Sequence, residues 1–355
     1  MSNGLKITRR TFGGLALGMG SALAMPSIAR AQTRELSVSI SAIYRKSFEE
    51  YVVPKMKEQH DVNVSLVTML SAEALARALG QRQNPQISMF TLDEGPWEQG
   101  KQFGIWDTFG PDRVPNVADV PETYRDADGQ GSALFNYMTG FCYDAEALDK
   151  AGIAAPQAFF DMWKEDFRSR IAVPQFTNTF AYVTLENTSR LLGEDPAVSF
   201  DKGFEKMAQL RPNIRTFIGP LGQLIQLFQQ QEIWLAFAPQ LSALQAAKAG
   251  LPVKWAAPTD GAVAMSQYLA LPKGAPNAED ALKIIDMMLS PDYQKVLAET
   301  DFMVPANTKT VLDPAFAESF PVTPEISAKA RTVSWSEYNL QRVQLSERWQ
   351  REIQS

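Results

Sequence analysis

The stretch Leu36-Ser37-Val38-Ser39-Ile40 alternates apolar and polar residues, the period-2 pattern of a strand with one buried face. Apolar residues at helical spacing follow over 46–58. A second alternating run, Val62-Asn63-Val64-Ser65-Leu66-Val67, comes next, then a helical stretch over 72–80 that ends on Gly80. The third strand is Ile87-Ser88-Met89-Phe90-Thr91-Leu92, and Asp93 closes it at the carboxyl end. Strand and helix in strict alternation predict an α/β fold. In open α/β sheets ligands bind beyond the carboxyl ends of the strands, so Asp93 is either a ligand carboxylate or the N-cap of the helix leading to Trp97.

The same alternation resumes further on. Tyr137-Met138-Thr139-Gly140-Phe141-Cys142-Tyr143 is strand-like, a helix is predicted over 159–167, and Arg170-Ile171-Ala172-Val173-Pro174 is a strand. The loop after it carries Phe176, Thr177, Asn178 and Thr179 ahead of a helical stretch over 181–192. Its hydroxyls and amide either cap that helix or meet a ligand's oxygens. Helices are predicted over 203–210 and 223–231, a strand over 233–237, a third crossing over 263–271 and an amphipathic helix over 278–289. No internal repeat or low-complexity segment interrupts this order.

The first residues address the chain. Arg9-Arg10 within Thr8-Arg9-Arg10-Thr11-Phe12, a mild Gly/Ala/Leu segment over 14–24 and Ala29-Arg30-Ala31 read in order as a twin-arginine export signal spanning 1–31. Gln32, not cysteine, follows the cleavage site, which argues against a lipid anchor. Cleavage removes Lys6, Arg9, Arg10 and Arg30 and takes the net charge from −6 to about −10. A mature chain of that length exceeds what one core usually fills, so two lobes are expected. The acidic balance argues against nucleic acid as a partner.

Scarcity of two residue types excludes most chemistry. Cys142 is the only cysteine and His60 the only histidine, so disulfides, zinc, haem and iron–sulfur sites lack their ligands. Cys142 lies in a strand-like run and reads as a buried inert thiol, and His60 as a surface residue at a helix end. A catalytic triad would need His60, and no G-x-S-x-G elbow accompanies it. Neither a catalytic residue, a metal nor a cofactor is expected.

The order of segments over nearly the whole mature chain resembles the solute-binding proteins of ABC importers, in the spermidine/putrescine-type and related iron- and thiamine-type families. The residues that carry it are 170–174 after the Trp163 region, Gly250-Leu251-Pro252-Val253, Ala257-Pro258-Thr259-Asp260-Gly261 and Leu271-Pro272-Lys273-Gly274-Ala275-Pro276-Asn277. Leu289-Ser290-Pro291-Asp292-Tyr293-Gln294, Val304-Pro305-Ala306-Asn307 and the final helix with Trp335 and Glu347-Arg348-Trp349 continue it. The resemblance implies a type II periplasmic binding protein fold: two α/β lobes joined by a two-strand hinge, closing on a solute. It places lobe 1 at 34–138 plus 266–355 and lobe 2 at 139–265. It implies a periplasmic, monomeric, non-enzymatic receptor that hands a small polar solute to an ABC permease in the inner membrane. A chemosensory partner would use the same site.

Carried over position by position, the ligand groups of the first lobe are Ser41, Tyr44 and Asp93, with Asn136 and Tyr137 at the first hinge crossing. The other lobe offers Phe176, Thr177, Asn178, Thr179, Gln223 and Gln240, with Met265 and Gln267 at the second crossing. Polyamine binders hold ammonium groups between carboxylates and aromatic faces. After the Pro-x-acidic-Gly element they typically show a tryptophan and then an aspartate, where this chain has Met265 and Gln267. Asp93 is then the one clear cleft carboxylate. The chain has no Tyr-Tyr pair for ferric iron, whereas Tyr44, Phe176 and Asp93 suit a thiamine-like cation. Arg45 and Lys46 with the 177–179 helix start would suit a carboxylate or phosphonate, unless the two cations are solvated first-turn residues. An organic cation leads on family grounds, with an organic anion as the alternative.

Overall fold

The computed structural model describes residues 34–355, and the export signal expected over 1–31 lies outside them. Strands β1 (Arg34–Ile40), β2 (Val62–Thr68) and β3 (Met89–Asp93) form where the alternating runs stand. They pair in parallel in the order β2-β1-β3, because the helical run 42–60 and helix α1 (Ser71–Gly80) carry the chain back between them. Helix α2 (Glu94–Gln102) follows β3 directly.

Two long strands organise the rest. β4 (Ser132–Asp144) and β9 (Val263–Ala270) run antiparallel, and β9 also pairs with β3, setting Gln267 opposite Asp93. The first half of β4 pairs with β9 and the short β10 (Val304–Pro305), and its second half with β7 (Leu235–Pro239) and β8 (Val253–Ala256). Parallel β5 (Ile171–Pro174) and β6 (Ile214–Ile218) complete the main path β2-β1-β3-β9-β4-β7-β5-β6. β11 (Arg331–Thr332) adds to β9 at Val263, a third passage of the chain beside the two long strands. This is the two-lobed α/β arrangement with a two-strand hinge. β4 admits no larger residue at Gly140, where a Cβ would stand 2.6 Å from the Ala256 carbonyl.

Local chemistry explains the helices of the second half. Asn178 caps α3 (Thr179–Leu191), its Oδ1 accepting the Phe180 N–H at 3.0 Å. Residues Phe180 through Ser189 of α3 are all buried, and the Thr184 and Thr188 hydroxyls donate back to the carbonyls of Phe180 and Thr184. Helix α4 (Asp201–Gln209) packs on α3 at Gly203, helix α5 (Ala278–Leu289) packs near β1, and α6 (Trp335–Trp349) runs on into a π-helical turn over Gln350–Gln354.

The helix expected over 159–167 is instead two 3-10 turns, Phe159–Trp163 and Glu165–Phe167. The Asp161 carboxylate accepts from the N–H groups of Gln157 and Ala158, and Asp260 from Phe159, so these donors are satisfied without a continuous helix. Strands β6 and β8 escape sequence reading because each starts within two residues of a proline, Pro212 and Pro252, which reads as a turn. Among the described residues no helix is long and apolar enough to cross a membrane.

Candidate functional site

Asp93 stands at the carboxyl end of β3, at the N-cap position of α2, yet its side chain makes no capping bond. Its backbone N–H donates to Ser71 Oγ at 2.9 Å, and its Oδ1 accepts from Gln267 Nε2 at 3.3 Å. Burial pushes its carboxyl up to about 6, against a smaller lowering by the Ser71 hydroxyl. Among the described residues no basic side chain forms an ion pair with Asp93. The residue keeps partial accessibility.

Glu94 beside it, which the sequence did not single out, is a second carboxylate raised by burial. Burial pushes it up to about 7, helped by Glu98, while the Trp335 indole and the Ser266 N–H lower it. The indole N–H has no completed hydrogen bond of its own. Trp335 is brought here by α6, whose start lies against Gly95: a Cβ on Gly95 would stand 2.6 Å from the Trp335 ring. Adjacency to Asp93 was the only trace of Glu94 in the sequence, and Trp335, some 240 positions downstream, left none.

An aromatic row borders the carboxylates. Tyr44 meets Phe135 edge-on at 5.4 Å, Phe135 meets Tyr137 at 5.1 Å, and Tyr137 meets Phe180 of α3 at 6.0 Å. The row thus runs from the first-lobe strands to the loop that carries Thr177 and Thr179. Burial holds the Tyr137 phenol well above its ordinary value, with further raising by Asp93 and Tyr44. The Tyr44 hydroxyl is committed to Thr91 Oγ1 and is fully buried, so Tyr44 acts as a wall and not as a polar contact. Met265 lies opposite Tyr137 in the β4–β9 register and is buried.

Several expected ligand groups make hydrogen bonds or packing contacts within the protein. Gln240 accepts from Met138 N at 2.7 Å and donates to the Phe302 carbonyl at 3.0 Å, tying β4 to the chain beyond 301. Asn178 divides its amide between the helix cap and the Gly219 carbonyl, and Gln223 accepts from Gly219 N at 3.1 Å. Asn136 Oδ1 takes the Ser266 hydroxyl at 2.7 Å. Phe176 packs on Tyr338 and Trp349, and Ser41 accepts from Ile43 N at 3.5 Å. Arg45 and Lys46 form exposed i,i+4 pairs with Glu49 and Glu50, the solvated first-turn role and not an anion site. Thr177 is exposed and Thr179 half-buried, both free of side-chain bonds among those described. Cys142 is fully buried with its thiol pushed up by burial.

Two pockets, of about 360 and 330 Å³, lie elsewhere: one beside Tyr51, Lys55 and Lys283, the other beside Ser37 and Ser65. Neither includes a residue of the Asp93 region. What marks that region is chemical: two adjacent, poorly solvated carboxylates without a cation, bordered by aromatic rings at the junction of β3, β9 and β4.

A strand-end site at the hinge of a two-lobed α/β clamp defines a class of solute receptors. The chain belongs to the bacterial extracellular solute-binding protein family, whose model matches residues 51–322. It is similar to the spermidine/putrescine-binding periplasmic protein of Salmonella typhimurium (strain LT2), 22% identical over 337 residues covering 92% of this chain and 90% of that one. The protein of the same description from Escherichia coli (strain K12) is 21% identical over 297 residues, covering 81% of this chain and 80% of its own. Among solved structures, an ABC transporter protein from Clostridium perfringens superposes with a TM-score of 0.77 at 23% identity, covering 90% of this chain and 99% of that one. The periplasmic binding protein AfuA of Actinobacillus pleuropneumoniae, solved with fructose-6-phosphate bound, gives 0.73 at 20% identity over 91% and 99%. A fold shared with a sugar-phosphate complex leaves the solute to be argued from the site itself.

Proposed function

We propose that this protein is a periplasmic receptor for a small organic cation, of the diamine or polyamine type, which it delivers to an ABC permease in the inner membrane. The observation that carries the reading is the pair Asp93 and Glu94, both raised by burial and neither joined to a basic side chain in an ion pair among the described residues. A buried carboxylate without a partner is costly, and a dehydrated ammonium group removes that cost while gaining cation–π contact with the neighbouring rings. The names of the relatives point to the same solute class.

The ligand groups on this reading are Asp93, Glu94, Gln267, Tyr137 and Trp335, with Ser41, Thr177 and Thr179 at the rim. Lobe 1 is built on 34–138 and the segment from 266, and lobe 2 on 139–265. The final helix α6 goes with lobe 1 on this division and packs along α2. The receptor works as a monomer and without catalysis, exported through the twin-arginine signal at 1–31.

A thermal-shift titration of the mature chain decides the solute class, because a ligand of the folded state raises the melting temperature by mass action. Putrescine and spermidine are expected to raise it in a concentration-dependent way. A rise with carboxylates, phosphonates or ferric citrate alone overturns the cation reading, and a rise with thiamine alone moves it to a different cation.

A further inference from the structure

The larger of the two pockets, about 360 Å³, is walled by three separate stretches of chain: the helical run 42–60, the segment 113–116 and the region of helix α5. That volume suits a small ligand. Lys55, His60, Arg113 and Lys283 all line it, in a chain whose net charge is −6. The carboxylates at hand leave these cations unbalanced. Asp280 is shared between Lys283 at 2.8 Å and Arg34 at 3.2 Å, and Glu279 takes Arg113 at 2.7 Å. Asp286, the acid that lines the pocket, accepts the Asn116 backbone N–H at 2.8 Å. Lys55 is half-buried and forms no ion pair among the described residues. Its ammonium group lies 4.6 Å from the centre of the Tyr51 ring, a contact that supplies no counter-charge. His60 registers the excess: burial, Lys283 and Arg34 push its imidazole below its ordinary value, against raising by Asp280. Tyr51 and Met287 give the same pocket an apolar wall.

We infer that this pocket is a second binding site, for a small organic oxyanion: one carboxylate or phosphate head meets Lys55 and Lys283, and an apolar body lies on Tyr51 and Met287. A single head group is what the charges call for, because Lys55 is the lining cation that lacks a carboxylate among the described residues. A half-buried ammonium without a counter-ion is unfavourable, and an oxyanion removes that cost through a charge-assisted hydrogen bond. The site shares no residue with the Asp93 region and does not depend on the solute assigned there.

His60 is the only histidine in the chain, so its ring C–H resonances report on this pocket alone. The full mature chain is titrated with benzoate, acetate and phenyl phosphate by NMR, against chloride at matched ionic strength. Benzoate and phenyl phosphate are expected to shift the His60 resonances saturably, with benzoate tighter than acetate because of the apolar wall. They should also raise the pH midpoint of His60, since a bound anion favours the imidazolium. Lys55→Gln should weaken benzoate about tenfold, the size of a lost charge-assisted bond. Lys57→Gln removes an exposed lysine that pairs with Asp61 outside the pocket and should leave the affinity as in the parent. Met287→Ala should narrow the gap between benzoate and acetate. A response no different from that to chloride, or equal losses in Lys55→Gln and Lys57→Gln, overturns the site. A shift produced by phosphatidylglycerol vesicles and by none of the small anions overturns it in favour of a membrane surface.

Discussion

Gln267 Nε2 meets Asp93 Oδ1 at 3.3 Å across the β3–β9 pair, so a neutral amide stands where a basic side chain would neutralise the carboxylate. The remaining Gln267 oxygen is buried without a partner. An amide can hold the carboxylate in place but leaves its charge available to a bound cation, which gives the pair a receptor's logic and not that of a structural salt bridge.

Asp93→Asn should weaken putrescine or spermidine binding by about tenfold or more, the size of a lost charge-assisted hydrogen bond. Isothermal titration calorimetry reads this directly. Unchanged affinity removes Asp93 from the site.

The ligand-free protein should lose stability as pH rises. The folded-state values of Asp93 and Glu94 lie above their ordinary ones, at about 6 and about 7. Their contribution is therefore fully present below about pH 4 and is lost as pH climbs through 6 and 7. Asp93→Asn should raise the melting temperature at pH 8, on the order of 2 kcal/mol of added stability, and change little at pH 4. Equal profiles for the parent and the variant across that range would contradict the buried charge.

Binding of a cation should show the opposite dependence. Affinity falls as pH drops through 7 and then 6, because a protonated carboxyl no longer attracts an ammonium group. Near pH 6.5 binding should release protons, visible as a calorimetric heat that varies with the ionisation enthalpy of the buffer. A heat independent of buffer would mean that neither carboxylate meets the ligand.

Gly140→Ala should cost on the order of 2 kcal/mol, since its Cβ would press the Ala256 carbonyl at 2.6 Å and the Trp255 ring at 2.7 Å in the middle of β4. Gly80→Ala, with nothing within 4 Å, is the control and should be neutral or mildly stabilising. Urea denaturation compares the two, and equal midpoints would remove the steric argument.

The local patterns were legible without a structure. Period-2 runs gave the positions of β1 and β2 and a short apolar run that of β3, and Asp93 could be placed at a strand's carboxyl end because such patterns are properties of neighbouring residues. The buried thiol of Cys142 followed from its apolar run in the same way. The segment 159–167 misled for the converse reason: its apolar spacing is helical, but side chains as distant as Asp260 satisfy its backbone.

What amides and carboxylates do there could not be read locally. Asn178, Gln223 and Gln240 look like ligand groups by residue type, yet each bonds to backbone, Gln223 through its oxygen alone and Gln240 to Met138 and Phe302, far away in the chain. Glu94 gained its character only through burial in the fold, against which hydrogen bonds from Trp335 and Ser266 pull its carboxyl back down. Sequence by itself determined the α/β order and the strand-end aspartate, because those depend on periodicity along the chain. The tertiary structure decided which polar groups remain unpaired and which lose their water, because desolvation and hydrogen-bond satisfaction depend on partners brought together from opposite ends of the molecule.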